Sequence, residues 1–150
     1  MKQQLAPRAT PPPIRVLCVD DNTDMLDMMQ MIINAEPTMQ CIGCLKSADK
    51  LIQTILGMDE PPQVILLDAT MPGKDPLLVL KKMSEAGHES RTLVLSGYDD
   101  AAFIKRTREA GAWGFVSKSE EPQSILQAVR NASEGKVMWP LAPLNENSGP

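Results

Sequence analysis

The sequence predicts an α/β fold: a doubly wound, five-stranded parallel sheet with helices on both faces. Five short apolar runs alternate with longer segments of helical periodicity between residues 14 and 135, the pattern of repeated strand–helix units. The run at 64–67, Val-Ile-Leu-Leu, is apolar throughout, as expected for a strand covered on both faces. A length of 150 residues with 43% hydrophobic residues suits one domain rather than two.

The two ends of the chain differ from this pattern. Residues 1–13 hold four prolines and few large apolar side chains, so we expect a flexible arm there. The predicted domain occupies residues 14–135. Residues 136–150 are expected to form a tail that is mostly disordered, within which Trp139 is a candidate anchor for a partner.

The first unit is a strand at 14–19 followed by a helix near 22–36. Asn22 or Thr23 can cap the start of this helix, and Pro37 ends it. Its apolar side chains recur at helical spacing and are expected to face the core: Met25, Met28, Met29, Ile32 and Ile33.

The second unit is a strand at 39–45 and a helix that begins at Ser47 and ends before Gly57. The third strand, 64–67, leads through a Pro-Gly loop to Asp75-Pro76, which caps and opens the third helix.

The fourth strand, 92–95, precedes a helix capped by Asp99 or Asp100. The fifth strand is predicted at 112–116 and the last helix at 122–133. The fourth helix is only weakly amphipathic and is therefore a candidate moving part; its best stripe is Phe103, Thr107 and Ala110.

Charge and hydropathy exclude several classes of function. The net charge of −4 and pI near 5.0 lack the basic face that binds phosphate backbones, so we expect no direct nucleic-acid binding by this chain. No apolar stretch approaches the roughly 20 residues that span a bilayer, and no signal-peptide core follows the N-terminus. We expect a cytoplasmic protein.

The chain has three cysteines, Cys18, Cys41 and Cys44. An odd number without a second CxxC pair does not complete a zinc site. On a regular strand Cys41 and Cys44 would face opposite sides, so we interpret all three as buried thiols.

Acidic residues follow two of the predicted strands. The pair Asp20-Asp21 ends the first apolar run and Asp68 ends the third, and strand ends of a parallel sheet meet at one edge. Three carboxylates in one pocket need a cation, and oxygen ligands beside a phosphoryl group favour Mg²⁺ over Ca²⁺. Asp68 is then a candidate nucleophile; the alternative is that these residues are only helix caps or solvated loops.

The same edge also receives Ser96 and Lys118 from the fourth and fifth strands. A carboxylate can attack phosphorus once Mg²⁺ and an ammonium neutralise the charges that meet there. The set of three acids, a hydroxyl and a lysine therefore indicates phosphoryl transfer.

These motifs, in this order, resemble the response-regulator receiver domain of two-component signalling, over about residues 14–135. The closest patterns are receivers of quorum-sensing and nitrate-type regulators. The matching segments are Val-Asp-Asp-Asn at 19–22, Leu-Asp-Ala-Thr-Met-Pro-Gly at 67–73, Ser-Gly at 96–97 and Phe-Val-Ser-Lys at 115–118. The resemblance implies a flavodoxin-like strand order of 2-1-3-4-5.

The resemblance also implies roles for the site residues. Asp68 would accept a phosphoryl group from a histidine kinase or a histidine phosphotransfer protein. Asp21 would bind Mg²⁺ directly and Asp20 partly through water, with Asp68 and the backbone carbonyl of Thr70 as further ligands. Lys118 would pair with the acceptor and then with the phosphate. Such a protein modifies only itself and is not an enzyme acting on other substrates.

The resemblance further implies a switch formed by Ser96 and Phe115. Ser96 would move toward the phosphate and the ring of Phe115 would follow inward. The face built by the fourth helix, fifth strand and fifth helix would then bind a downstream protein or a second copy of the chain.

Three alternatives remain at the level of sequence. A receiver-fold scaffold that is never phosphorylated usually lacks one of the acids or the lysine, whereas all are present here. A haloacid-dehalogenase-type phosphatase needs a second aspartate two residues after the nucleophile, where this chain has Thr70. We favour a stand-alone receiver over the excised receiver of a DNA-binding regulator.

Overall fold

The computed structural model describes residues 11–137 and 139. These residues form a five-stranded, all-parallel sheet in the order β2-β1-β3-β4-β5, which confirms the predicted fold and strand order. The strands are β1 (Ile14–Val19), β2 (Met39–Leu45), β3 (Val64–Asp68), β4 (Arg91–Ser96) and β5 (Gly114–Ser117). The helices are α1 (Thr23–Asn34), α2 (Leu51–Leu56), α3 (Pro76–Glu85), α4 (Ala101–Glu109) and α5 (Pro122–Ser133).

Two predicted boundaries are wrong for local reasons. Helix α2 begins at Leu51 rather than Ser47, because the hydroxyl of Ser47 accepts the backbone N–H of Asp49 and closes a turn. Strand β5 begins at Gly114 rather than residue 112. The N–H of Ala112 instead donates to the carbonyl of Thr107, which closes the end of α4.

The helix starts depend on side-chain caps. Asn22, not Thr23, caps α1 by accepting the N–H of Met25. Asp75 and Asp100 cap α3 and α4 in the same way, with Asp100 rather than Asp99 in the second case. Each cap satisfies a backbone donor that a helix leaves open.

The sheet separates two apolar layers. Alternate side chains of β3, such as Leu66 and Leu67, point into opposite layers. Helices α1 and α5 cover one face, and α2, α3 and α4 cover the other. The predicted stripe of α1 faces the core with Met29 and Ile33 fully buried; Leu26 occupies a third buried position that the stripe did not include.

The prediction that Cys41 and Cys44 face opposite sides is wrong. The register pairs Val16 with Cys41 but Leu17 with Gly43, so β2 carries one extra residue at this point. Such a bulge interrupts the alternation of a strand. Cys41 and Cys44 consequently both pack against the layer that α1 and α5 cover. They are half-buried rather than buried, so the prediction of a buried thiol is confirmed for Cys18 but is wrong for these two.

The predicted arm and tail fall largely outside the described residues, since residues 1–10, 138 and 140–150 are not among them. Within the described part, the indole N–H of Trp113 donates to the carbonyl of Lys136 at 2.9 Å. The guanidinium of Arg108 lies 4.6 Å from the ring centre of Trp139. Trp139 therefore packs on the domain beside α4 and β5. Among the described residues, no helix is both long and apolar enough to span a bilayer.

Two glycines in turns, Gly111 between α4 and β5 and Gly87 between α3 and β4, allow a prediction about stability. Gly111 has φ of 102°, and an added Cβ would overlap the side chain of Ser84. Gly87 has φ of 80° with nothing within 4 Å of an added Cβ. We expect Gly87→Ala to lower the free energy of unfolding by about 1 kcal/mol through backbone strain. Gly111→Ala should lower it by a further 1–3 kcal/mol or so through the overlap.

Urea denaturation of the two variants measures these free energies. Equal destabilisation by the two alanines would contradict the assigned overlap at Ser84.

Candidate functional site

The carboxyl ends of the parallel strands bring the predicted site residues to one edge of the sheet. Asp20 follows β1, Asp68 ends β3, Ser96 ends β4 and Lys118 follows β5. Asp20, Asp68 and Ser96 are at most 2% exposed, whereas Asp21 is exposed. These residues come from distant segments and lie together because β1, β3, β4 and β5 are successive neighbours.

Lys118 connects the two buried acids. Its Nζ lies 2.9 Å from Asp20 Oδ2 and 3.2 Å from Asp68 Oδ2. Its side chain is 26% exposed, so the ammonium reaches the pocket from the solvent side. The backbone N–H of Lys118 donates to the carbonyl of Ser96 at 2.9 Å, which anchors the start of this side chain at the end of β4.

The other oxygen of each buried acid is held by the backbone two residues ahead. Asp20 Oδ1 accepts the N–H of Asn22 at 2.9 Å. Asp68 Oδ1 accepts the N–H of Thr70 at 3.0 Å and its hydroxyl at 3.3 Å. The two carboxylates are therefore fixed in orientation, each with one oxygen toward Lys118.

Burial governs the electrostatics of the pocket. It raises the pKa of Asp68 to about 6, an effect that the hydrogen bond from Thr70 opposes and the neighbouring Asp20 reinforces. Burial acts against the ammonium of Lys118, but its bonds to Asp20 and Asp68 outweigh this and raise the Lys118 pKa above its usual value. The pocket thus holds a permanent cation beside carboxylates whose charges repel.

The acidic cluster fits a hard divalent cation. Carboxylate oxygens of Asp20, Asp21 and Asp68 lie within 4.8 Å of one another. Asp20 Oδ2 is buried, and Lys118 Nζ at 2.9 Å is the cation that it faces among the described residues. A buried oxygen with spare acceptor capacity beside two further carboxylates is suited to metal ligation.

Ser96 and Phe115 lie one strand apart beside this pocket. Ser96 Oγ accepts the N–H of Tyr98 at 2.9 Å and keeps its own proton available as a donor. Phe115 is 5% exposed and meets Phe103 edge-on, with centroids 6.4 Å apart. Phe103 also contacts Tyr98, at 6.3 Å between centroids. A row of three rings, from the loop after β4 through α4 to β5, therefore adjoins Ser96.

Sequence reasoning missed the backbone donors of Asn22 and Tyr98 and the ring of Phe103. A signal for the donors was present, because the side chain at the end of each of three strands accepts the N–H two residues later. Aspartate and serine commonly form such turns. Phe103 was identified as part of a stripe, but only the packing of α4 shows that it bridges two other rings.

Comparison with known proteins agrees with this geometry. A family profile described as "Response regulator receiver domain" matches residues 16–130. Oxygen regulatory protein NreC from Staphylococcus haemolyticus is 27% identical over 125 residues, which cover 83% of this chain and 57% of that protein. The signal receiver domain of a NarL response regulator from Mycobacterium tuberculosis superposes with a TM-score of 0.76 at 26% identity, covering 84% of this chain and all of that domain.

The expectation that nucleic acid is not a partner is wrong. It rested on the charge of these 150 residues, yet the chain spans only 57% of the length of the NreC relative. A structure of RcsB from Salmonella enterica shares the fold, with a TM-score of 0.72 at 19% identity; the match covers 82% of this chain and 61% of that chain. That RcsB structure is described as bound to a promoter. The charge of one domain does not determine what a longer regulator binds.

The match over residues 16–130 also removes the phosphatase alternative. The fold, the strand-end acids and the profile agree, and the chain belongs to the response regulator receiver domain family.

Proposed function

We propose that this chain is the phosphoacceptor of a two-component phosphorelay, with residues 14–135 as its receiver domain, acting in the cytoplasm. The observation that supports this best is the single ammonium of Lys118, which lies between two buried carboxylates beside a third acid. Purely structural ion pairs seldom place three acids around one lysine, because the excess charge is costly. In a pocket that accepts a cation and a phosphoryl group, the excess negative charge of the acids binds the cation.

Asp20, Asp21, Asp68 and the backbone carbonyl of Thr70 are the proposed ligands of Mg²⁺. Three carboxylates within 4.8 Å of one another, with one lysine beside them, support this assignment. When bound, Mg²⁺ supplies positive charge that offsets the acids and the incoming phosphoryl oxygens. Asp21 is exposed, which leaves the approach to the site open from solvent.

Asp68 is the proposed nucleophile. One of its carboxylate oxygens forms a bond to phosphorus while the bond between phosphorus and the imidazole nitrogen of a phosphohistidine breaks, and that nitrogen leaves with the electron pair. Thr70 holds Asp68 Oδ1 through its N–H and hydroxyl, so the acceptor is already oriented. Lys118 stays within reach of the charge that moves onto the acyl phosphate. The donor is a histidine kinase or a histidine phosphotransfer protein.

Ser96 and Phe115 are the proposed switch. The free proton of the Ser96 hydroxyl can donate to a phosphoryl oxygen while the N–H of Tyr98 remains bound. In the described conformation the ring of Phe115 is already buried against Phe103. In this proposal phosphorylation stabilises the inward packing of Phe115. The pocket is thereby coupled to the start of α4.

Labelling with a small phosphodonor tests the acceptor. After incubation with acetyl phosphate and Mg²⁺, we expect the mass of the intact protein to increase by one phosphoryl group. Asp68→Asn should show no increase, because it lacks the nucleophilic carboxylate. The control Asp75→Asn alters an exposed cap of α3 outside the pocket and should label like the parent.

A full-stoichiometry label on Asp68→Asn would mean that another side chain is the acceptor. Absence of label on the parent, with the fold intact, would favour the unphosphorylated scaffold instead.

Thermal unfolding tests the cation site. Mg²⁺ at one hundred times its dissociation constant should stabilise the parent by about 2.7 kcal/mol. Asp21→Asn should lose most of this gain, because it removes a carboxylate from the cluster. The matched control Asp24→Asn, on the first turn of α1, should retain the gain. Equal stabilisation of the two variants would contradict Asp21 as a ligand.

The raised pKa of Asp68 predicts the pH dependence of metal-free stability. Its pKa of about 6 against an ordinary 3.8 means that the folded protein holds the proton more tightly than the unfolded chain. This contribution to stability is complete below about pH 4 and is lost as pH rises through about 6. Asp68→Asn has no carboxyl to titrate at this position. As pH rises from 4 to 7.5, the free energy of unfolding of the parent should therefore fall relative to that of Asp68→Asn, by up to about 3 kcal/mol.

Denaturant titrations at a series of pH values in the presence of a chelator measure this difference. Parallel pH profiles for the parent and Asp68→Asn would show that the Asp68 pKa is not raised.

A further inference from the structure

All three cysteines of the chain form one cluster on β1 and β2, at the edge of the sheet opposite β5. Cys41 Sγ lies 4.0 Å from Cys18 Sγ and 3.9 Å from Cys44 Sγ. Cys18 is fully buried on β1, whereas Cys41 and Cys44 on β2 are half-buried. Since β2 is an edge strand, a small solute can reach this pair of thiols without unfolding of the core.

The bulge in β2 brings the Cα atoms of Cys41 and Cys44 into the range that a disulfide can bridge. Cys41 is paired with Val16 and Cys44 with Cys18, so three steps along β2 cover the length of two steps along β1. That length is about 6.6 Å, inside the range of about 4.4–6.8 Å that a disulfide allows between Cα atoms. The diagonal from Cys18 to Cys41 spans about 8 Å, which is too long without backbone movement.

The cluster also distinguishes the thiols chemically. The hydrogen bond from Cys18 lowers the pKa of Cys41 to about 6, more than its burial raises it. Burial and the neighbouring Cys41 raise the pKa of Cys44 to about 11. Of these two sulfurs, Cys41 therefore forms the thiolate more readily, the form that attacks oxidants, while Cys44 is a thiol within contact distance.

We propose that Cys41 and Cys44 are a peroxide-oxidisable dithiol, in which Cys41 is the attacking sulfur and Cys44 the resolving sulfur. The half-buried position of both sulfurs, their 3.9 Å separation and the bulge that shortens the path between them carry this assignment. Cys18 remains reduced within the core.

The oxidation proceeds in two balanced steps with a hydroperoxide as the oxidant. The Cys41 thiolate bonds to one oxygen of H₂O₂, the O–O bond breaks, and sulfenic acid and hydroxide form. Cys44 sulfur then bonds to Cys41 sulfur, its proton is taken up, and the sulfenic oxygen leaves as water. The two sulfurs together lose two electrons, and the peroxide is reduced to one water and one hydroxide.

Peptide mapping of the full chain tests the proposal. The reduced protein is treated with H₂O₂ in native buffer, catalase removes the excess, and free thiols are alkylated in denaturant. Cleavage before aspartate separates Cys18 from the other two cysteines, because Asp20, Asp21, Asp24 and Asp27 lie between them. We expect a peptide that contains Cys41 and Cys44, lacks two hydrogens and carries no alkyl group, beside an alkylated Cys18 peptide.

Three variants sharpen the assignment. Cys44→Ser should leave a sulfenic acid on Cys41 that dimedone traps, and Cys41→Ser should give neither disulfide nor dimedone adduct. Cys18→Ala removes the third thiol and, with it, the hydrogen bond that lowers the Cys41 pKa, so it should still yield the Cys41–Cys44 disulfide but more slowly. Full alkylation of all three cysteines after peroxide treatment would overturn the proposal, as would a bond to Cys18 or a disulfide between two chains.

Discussion

The salt bridges of Lys118 to Asp20 and Asp68 are the constraint on which the site depends. Two carboxylates that are almost fully buried repel each other, and neither can be left without a counter-charge in the interior. The single ammonium of Lys118, which follows β5, contacts both. It reaches them because β5 follows β4, and the Lys118 N–H is bonded to the carbonyl of Ser96. The strand order thus places the ammonium of Lys118 beside both buried carboxylates.

The same local device repeats at three strand ends around this ion pair. Asp20, Asp68 and Ser96 each accept the backbone N–H two residues ahead. Each turn uses one acceptor of the side chain and leaves the remaining capacity directed to the pocket. The third turn continues through Tyr98 and Phe103 to Phe115, so the pocket and the α4 surface share a contiguous set of contacts.

The opposite edge of the sheet is organised by a different irregularity. One extra residue in β2 turns Cys41 to the same face as Cys44 and sets it between two thiols. Cys18 lies two positions before Asp20 on β1, and the Asp20 N–H bonds to the carbonyl of Leu45, next to Cys44. The thiol cluster and the acidic pocket therefore share the β1–β2 ladder, although their chemistry is separate.

Local sequence determined much of this protein. Apolar runs placed the strands, Asn22, Asp75 and Asp100 begin helices through short-range hydrogen bonds, and the acids at strand ends with Ser96 and Lys118 identified the family, which the profile over residues 16–130 confirms. Tertiary structure alone decided which groups meet. The bridging of two acids by Lys118, the raised pKa of Asp68 and the contact of Phe103 with two rings depend on residues far apart in the chain. The face of Cys41 depends on register with a neighbouring strand, because a bulge is a mismatch between two strands that neither segment encodes by itself.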